Sequence, residues 1–401
     1  MTKFFPKGYD RRIWILFYSR LIDGVGFSII GPFLALFMYQ SLGVSMAMVG
    51  LVLLMAGLAG AGGSLIGGLM ADRYGRWGVM TWSMTLRCVT FLVLAFQVSL
   101  WPDVLGVSIT LTLSYFFGGV FDPANNAMVA DLVEPAKRLE AYGLMRVAWN
   151  LGFAIGPMIG GILVAWSFLW TFVISAVISL LAALVVAFFL SETYVPKPRE
   201  KGPGLWKSIG SVNKLFLVFC IVLMPMFIMS GQFGVIYVVF ANEQVGIDTV
   251  TIGAIFALNG LMVVLLQFPI ARWLEGRNYY LAMAGGSLLY AVGYLAIAPI
   301  SNGLGLAITM VIITLGEMVV VPVATNLTVE MSPEDQRGKY LGIFGLFASV
   351  GWFASSLVGG IMYDNISSGW VLWGVVAFLG VVTAVGLLPL AWKAKRLSAK
   401  H

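Results

Sequence analysis

The sequence predicts an all-α membrane protein, with twelve transmembrane helices in two six-helix bundles related as parallel repeats. Three observations carry that expectation. First, the 401 residues are 60% hydrophobic and only 10% charged, against about 25% charged in soluble domains. Second, the apolar residues fall in runs of roughly 20 or more, the length that crosses a bilayer as a helix, and open loops cannot cross lipid. Third, lysine and arginine collect in the N-terminal arm, the C-terminal tail and alternate gaps between those runs. Only Arg20, Arg87 and Arg146 lie inside apolar runs.

Taken in order, helices are expected over 13–39, 45–71, 78–98, 103–131, 139–165, 168–190, 214–241, 249–274, 279–299, 303–331, 338–363 and 369–391. The gap at 191–213 carries Pro196, Pro198, Pro203 and a basic cluster. It reads as a cytoplasmic linker between an N-terminal bundle, 1–190, and a C-terminal bundle, 214–401. Arg73, Arg76, Lys137, Arg138, Arg272, Arg277, Arg337, Lys339 and both termini fall on one side. The opposite gaps hold Asp103, Glu243, Asp248 and Asp364 and no basic residue. By the positive-inside rule both termini are expected to be cytoplasmic, in a cell (inner) membrane.

The net charge of +6 is scattered over short loops. That pattern suits anionic lipid headgroups and excludes a nucleic-acid face. Cys88 and Cys220 both sit in apolar runs, the one histidine is His401, and no metal site or disulfide framework is expected. The polar, basic start without a small-residue cleavage site argues against a signal peptide.

Sliding the chain by 199 residues superposes Pro123 on Pro322, Asp131 on Glu330, Arg138 on Arg337 and Gly143 on Gly342. It also places Gly152 on Gly351 and Gly160–Gly161 on Gly359–Gly360, without a gap. A shift of six helices preserves orientation, so the halves are expected to be parallel repeats with a substrate site near mid-membrane.

The loop after the second helix reads Gly68-Leu-Met-Ala-Asp72-Arg73-Tyr-Gly75-Arg76. It resembles the signature of the major facilitator superfamily. The resemblance implies a conformational latch on the cytoplasmic side made by Gly68, Asp72, Arg73, Gly75 and Arg76, with Asp131 as the expected partner of Arg73. The fifth helix reads Gly152-Phe-Ala-Ile-Gly156-Pro157-Met-Ile-Gly160-Gly161, and looks like the antiporter signature of the same family. Small residues at this spacing also let helices approach closely. Leu190-Ser191-Glu192-Thr193 is a weaker match to the same drug:proton antiporter group. One departure stands out: the helix-4 arginine of many such antiporters is replaced here by Ser114 or Tyr115.

An ionisable group at membrane depth is a functional candidate by default. Asp23, Asp122 and Glu317 are the acids of that kind, and Arg20, Arg87 and Arg146 the bases. Asp23 shares a helix face with Arg20, either as a static pair or as a proton site. Asp122, before Pro123, either satisfies freed backbone or partners Arg146. Their repeat counterparts, Val321 and Gly345, are uncharged, which suits a coupled pair. Glu317 has no base on its own helix, reads as an unpaired carboxyl, and resembles an acid of multidrug antiporter pockets. Tyr18, Trp149, Asn150, Gln232, Tyr237, Asn259 and Asn326 are candidate cavity residues, with core packing as the alternative for each.

With no internal histidine, nucleophile motif or phosphate-binding loop, an enzyme is not expected. The expected function is proton-coupled efflux of small lipophilic or cationic compounds. The partners would be a small-molecule substrate, protons and lipid, without nucleic acid, and the chain is expected to be a monomer. The proton gradient would be the energy source and no cofactor is implied. The alternatives are a proton-coupled symporter importing a sugar or organic acid, and a non-transporting membrane scaffold.

Overall fold

Apolar runs opened by polar caps set the element order. The structure, a computed structural model, describes residues 9–134, 137–194 and 212–398. The proline- and arginine-bearing part of the expected linker, the first eight residues and the last three lie outside that range. The helices are α1 (Arg11–Leu42), α2 (Met46–Tyr74), α3 (Arg76–Leu100), α4 (Val104–Leu132), α5 (Arg138–Trp166) and α6 (Phe168–Phe189). They continue with α7 (Lys214–Gln244), α8 (Thr249–Leu274), α9 (Tyr279–Leu295), α10 (Gly303–Glu330), α11 (Arg337–Asn365) and α12 (Gly369–Ser398). Among the described residues there is no strand.

Asp10, Asp103, Ser167, Asn213, Asn278 and Asn302 each accept a first-turn N–H of the helix they precede. These caps satisfy amides that would otherwise lack partners. Eleven of the described helices are long and apolar enough to cross a membrane. The exception is α9, expected over 279–299, whose regular helix stops after 17 residues. The chain then continues as turns, with Ala298 N–H donating to Leu295 O and Ile300 N–H to Ile297 O.

The chain divides into two compact units. The first is Met1–Val44, Val52–Pro198 and Asp248–Gly260; the second is Ser45–Leu51, Arg199–Ile247 and Leu261–His401. Relative to the sequence expectation, the start of α2 groups with the second unit and the start of α8 with the first. Glycines explain the exchange. A Cβ on Gly50 would overlap the Ser356 backbone, and one on Gly161 or Gly253 would overlap Thr249 O or Pro157 O. At these points backbone lies on backbone.

Within the first unit α1 packs on α5 and α6, and α3 on α4 and α6. Within the second unit α7 packs on α11 and α12, and α9 on α10 and α12. The two patterns coincide after a shift of six helices, as the internal repeat requires.

The α5 glycines have specific partners in α1. A Cβ on Gly152 would lie 2.7 Å from Gly24 C, and Cβ atoms on Gly156 and Gly160 would overlap Ser28 Oγ and Ile29 O. The Ser28 hydroxyl donates to Gly152 O at 3.0 Å or to Gly24 O at 2.7 Å. In the second unit the same register sets Gly351 against Phe227 and Ser355 against Gly231. Thus the Gly-Pro signature works as the α1–α5 seam.

Candidate functional site

Helix periodicity puts Arg20, Asp23 and Phe27 of α1 on one face, and α3, α4 and α5 pack around it. Asp23, 4% exposed, accepts from two arginines. Arg87 Nη1 of α3 donates to Oδ1 at 2.6 Å, and Arg20 Nη1 donates to Oδ2 at 3.0 Å. Arg20 also grips Asp122 of α4 in bidentate fashion, Nη1 on Oδ1 and Nη2 on Oδ2 at 3.2 Å. The order is therefore Arg87–Asp23–Arg20–Asp122.

Exposure divides this chain of charges. The Arg87 and Asp23 side chains are 6% and 4% exposed, whereas that of Asp122 is 43% exposed. Asp122 is the open end, and Asp23 is saturated by two cations. Gly118, one turn before Asp122, makes room for the Arg87 guanidinium, whose Cζ would lie 3.2 Å from a Cβ there.

Rings enclose the network. The Arg20 guanidinium lies 4.3 Å from the Trp149 ring centroid and Arg87 lies 5.8 Å from Phe27. Phe27 in turn meets Tyr115 at 5.8 Å, Trp149 at 5.6 Å and Phe153 at 6.5 Å. All four rings remain partly accessible. Arginine over an aromatic face is a cation–π arrangement, strongest when desolvated.

Several expectations need correction. Asp122 pairs with Arg20 and not with Arg146, because Arg146 is on an exposed face of α5. Gln232 and Tyr237 do not line a cavity. Both are fully buried, Gln232 donating to Ser355 O at 3.0 Å and Tyr237 to Leu306 O at 3.3 Å. Asn326 is exposed and donates to Glu330 at 2.8 Å. Tyr18 is exposed, Asn150 partly buried and Asn259 buried. Glu317, in the second unit, is half-buried and within electrostatic reach of Tyr290 and Tyr294, so it is not an isolated charge.

The α2–α3 turn also differs from expectation. Arg76, rather than Arg73, meets Asp131, with Nε 3.1 Å from Oδ2, and it also reaches Asp72 at 3.5 Å. Arg73 is exposed and lies over Tyr74. The physical reason is Gly75, at φ +94°, a conformation L side chains avoid. That turn makes Arg76 the first residue of α3 and aims it back at α4. Glu192 accepts from the Arg76 and Trp77 amides at 3.0 and 3.1 Å, and a Cβ on Gly75 would overlap its carboxylate. Thr193 donates to Asp131 at 3.0 Å, and Arg76 stacks over Tyr194 at 4.3 Å. Gly68 lies against Pro123.

Sequence reasoning missed Glu192 as the cap of α3, and Phe27, Tyr115 and Phe153 around the charges. Phe27 and Phe153 were legible in principle, each one turn beyond a chosen residue, Asp23 and Trp149.

Long apolar helices that carry a buried arginine–aspartate chain between them define a multi-pass membrane protein with a polar interior. The model of the Major Facilitator Superfamily matches residues 16–327 and 226–400, and the chain belongs to that family. A multidrug resistance protein MdtH of Photorhabdus laumondii is 24% identical over 380 residues, covering 93% of each chain. An uncharacterized MFS-type transporter, YttB of Bacillus subtilis, is 24% identical over 391 residues, covering 94% of this chain and 95% of its own. Among solved structures, a peptide transporter POT in complex with sulfate superposes with a TM-score of 0.78 at 16% identity, covering 98% and 96% of the two chains. A D-xylose-proton symporter superposes at 0.73 with 15% identity, covering 94% and 96%. The chain is thus a transporter and not an enzyme.

Proposed function

We propose that this chain exports small lipophilic or cationic compounds in exchange for protons, by alternating access, from the inner membrane of a cell with both its termini in the cytoplasm. The observation that carries the reading is the open carboxylate of Asp122 at the end of a buried arginine–aspartate chain. Relatives named for multidrug resistance support the cargo class.

Asp122 is the proton-exchanging group in this reading and Asp23 the anchor. When Asp122 is ionised it holds Arg20. When it takes a proton it becomes neutral, and Arg20, always charged, retains Asp23 alone. One carboxylate serving proton and cargo in turn makes their binding mutually exclusive, and that negative coupling is what exchange requires. Arg87 keeps its ion pair with Asp23 in both forms. Low dielectric strengthens each of these pairs.

The test is flux from proteoliposomes with an imposed pH gradient, using a cationic dye as cargo. Wild type should concentrate the dye against its gradient, and a protonophore should abolish this. Asp122→Asn should lose gradient-driven flux while still binding the detergent-solubilised fold-reporting dye at its melting transition. Uphill flux that survives collapse of the proton gradient would overturn the reading.

A further inference from the structure

The guanidinium of Arg20 occupies a place with two features. On one side it takes both oxygens of Asp122; on the other its plane lies 4.3 Å from the centroid of Trp149. A carboxylate facing an aromatic surface, with Phe27, Tyr115 and Phe153 completing the ring group, is a receptor for a monovalent organic cation. The protein fills that receptor with a cation of its own.

We infer that Arg20 is a tethered competitor for the cargo: its guanidinium holds the carboxylate-and-indole seat that a monovalent aromatic or quaternary cation takes in transport. The inference rests on the export reading. Arg20 has somewhere to go when displaced, because its Nη1 already touches Asp23 at 3.0 Å. Asp23 in turn keeps Arg87 at 2.6 Å, so one carboxylate is left facing two cations and no charge is stranded. Arg20 is 15% exposed and Asp122 43%, so the exchangeable pair is the accessible one. A neutral molecule gains the rings but cannot replace the guanidinium on the carboxylate. The competitor therefore discriminates by charge, a penalty against the wrong ligand as well as an attraction for the right one.

The experiment measures equilibrium binding of tetraphenylphosphonium, and of neutral triphenylphosphine oxide, to purified full-length protein at pH 8. Arg20→Gln removes the competitor and should tighten the phosphonium about tenfold, the scale of one charge-assisted hydrogen bond, with the neutral ligand unchanged. Arg20→Lys keeps the charge but loses the planar bidentate fit, and should fall between wild type and Arg20→Gln. It also serves if Arg20→Gln does not fold, as judged by melting temperature. Combining Arg20→Gln with Asp122→Asn should erase the gain. Phosphonium binding that is unchanged or weakened in a folded Arg20→Gln or Arg20→Lys protein would overturn the inference. Failure of the export reading is seen separately, as absence of proton-driven flux in wild-type liposomes whatever the binding comparison shows.

Discussion

At the residue scale, Asp23 and Asp122 carry the same chemistry and different environments. Asp23 is held by two guanidinium groups in nearly dry surroundings; removing Arg87 leaves Arg20 alone to serve Asp23 and Asp122, one negative charge in excess, and an uncompensated buried charge costs about 3 kcal/mol. Arg87→Gln should therefore lower the melting temperature of the purified protein by several degrees, whereas Arg146→Gln, on an exposed face, should leave it unchanged. A differential scanning fluorimetry comparison checks the pair, and equal shifts would contradict the buried role of Arg87. The candidate ionisable residues themselves were legible, because charge inside an apolar run is conspicuous. Their pairing was not. Arg20 meets Asp122 across 102 positions and Arg87 meets Asp23 across 64, and no spacing rule on one helix reaches that far. Gln232 and Tyr237 show the complementary failure. A polar side chain that bonds a neighbouring helix backbone looks the same in sequence as one that lines a cavity.

At the element scale, the α5 glycines hold that helix against α1, and their size is the point. Gly156→Leu has no space beside Ser28, and overpacking of a tight seam costs about 1–3 kcal/mol. The variant should show reduced folded yield by size-exclusion chromatography, while Gly143→Leu, with open space around it, should behave as wild type. Charge at a helix start gives a second expectation. Asp248 accepts from the Thr251 hydroxyl at 2.7 Å and amide at 2.9 Å, and these bonds hold its carboxyl below the ordinary value of 3.8. A lowered folded-state pKa means that the cap contributes in full above that ordinary value and is lost as pH falls through the folded one. Protection of the first-turn amides of α8, taken relative to the intrinsic exchange rate at each pH, should therefore hold from neutral pH down to about 4 and fall only below 3.8; Asp248→Ala should show low protection throughout, having lost a cap worth about 1 kcal/mol. Helix positions were readable from hydropathy, and the repeat from glycine and proline register. The partner of the α2–α3 turn was read one arginine too early, because Gly75 reverses the chain and its φ is not visible in a motif.

At the scale of the whole molecule, the charge balance of the network sets the energetics proposed for transport. Two arginines and two aspartates sum to zero, and either a proton on Asp122 or a bound monovalent cation raises the sum by one. The two loaded forms then carry the same charge. Exchange of a monovalent cation for a proton through this site should be electroneutral. In liposomes, nigericin should stop it, and a valinomycin-set potassium potential should leave its rate unchanged. A rate that follows the membrane potential would require a second proton carrier.

The regular part of α9 spans 17 residues, a rise of about 26 Å against a hydrocarbon thickness near 30 Å. A regular helix of that length fits bilayers built from shorter acyl groups with less elastic deformation, so the melting temperature of the reconstituted protein should rise as the acyl chains are shortened toward that depth.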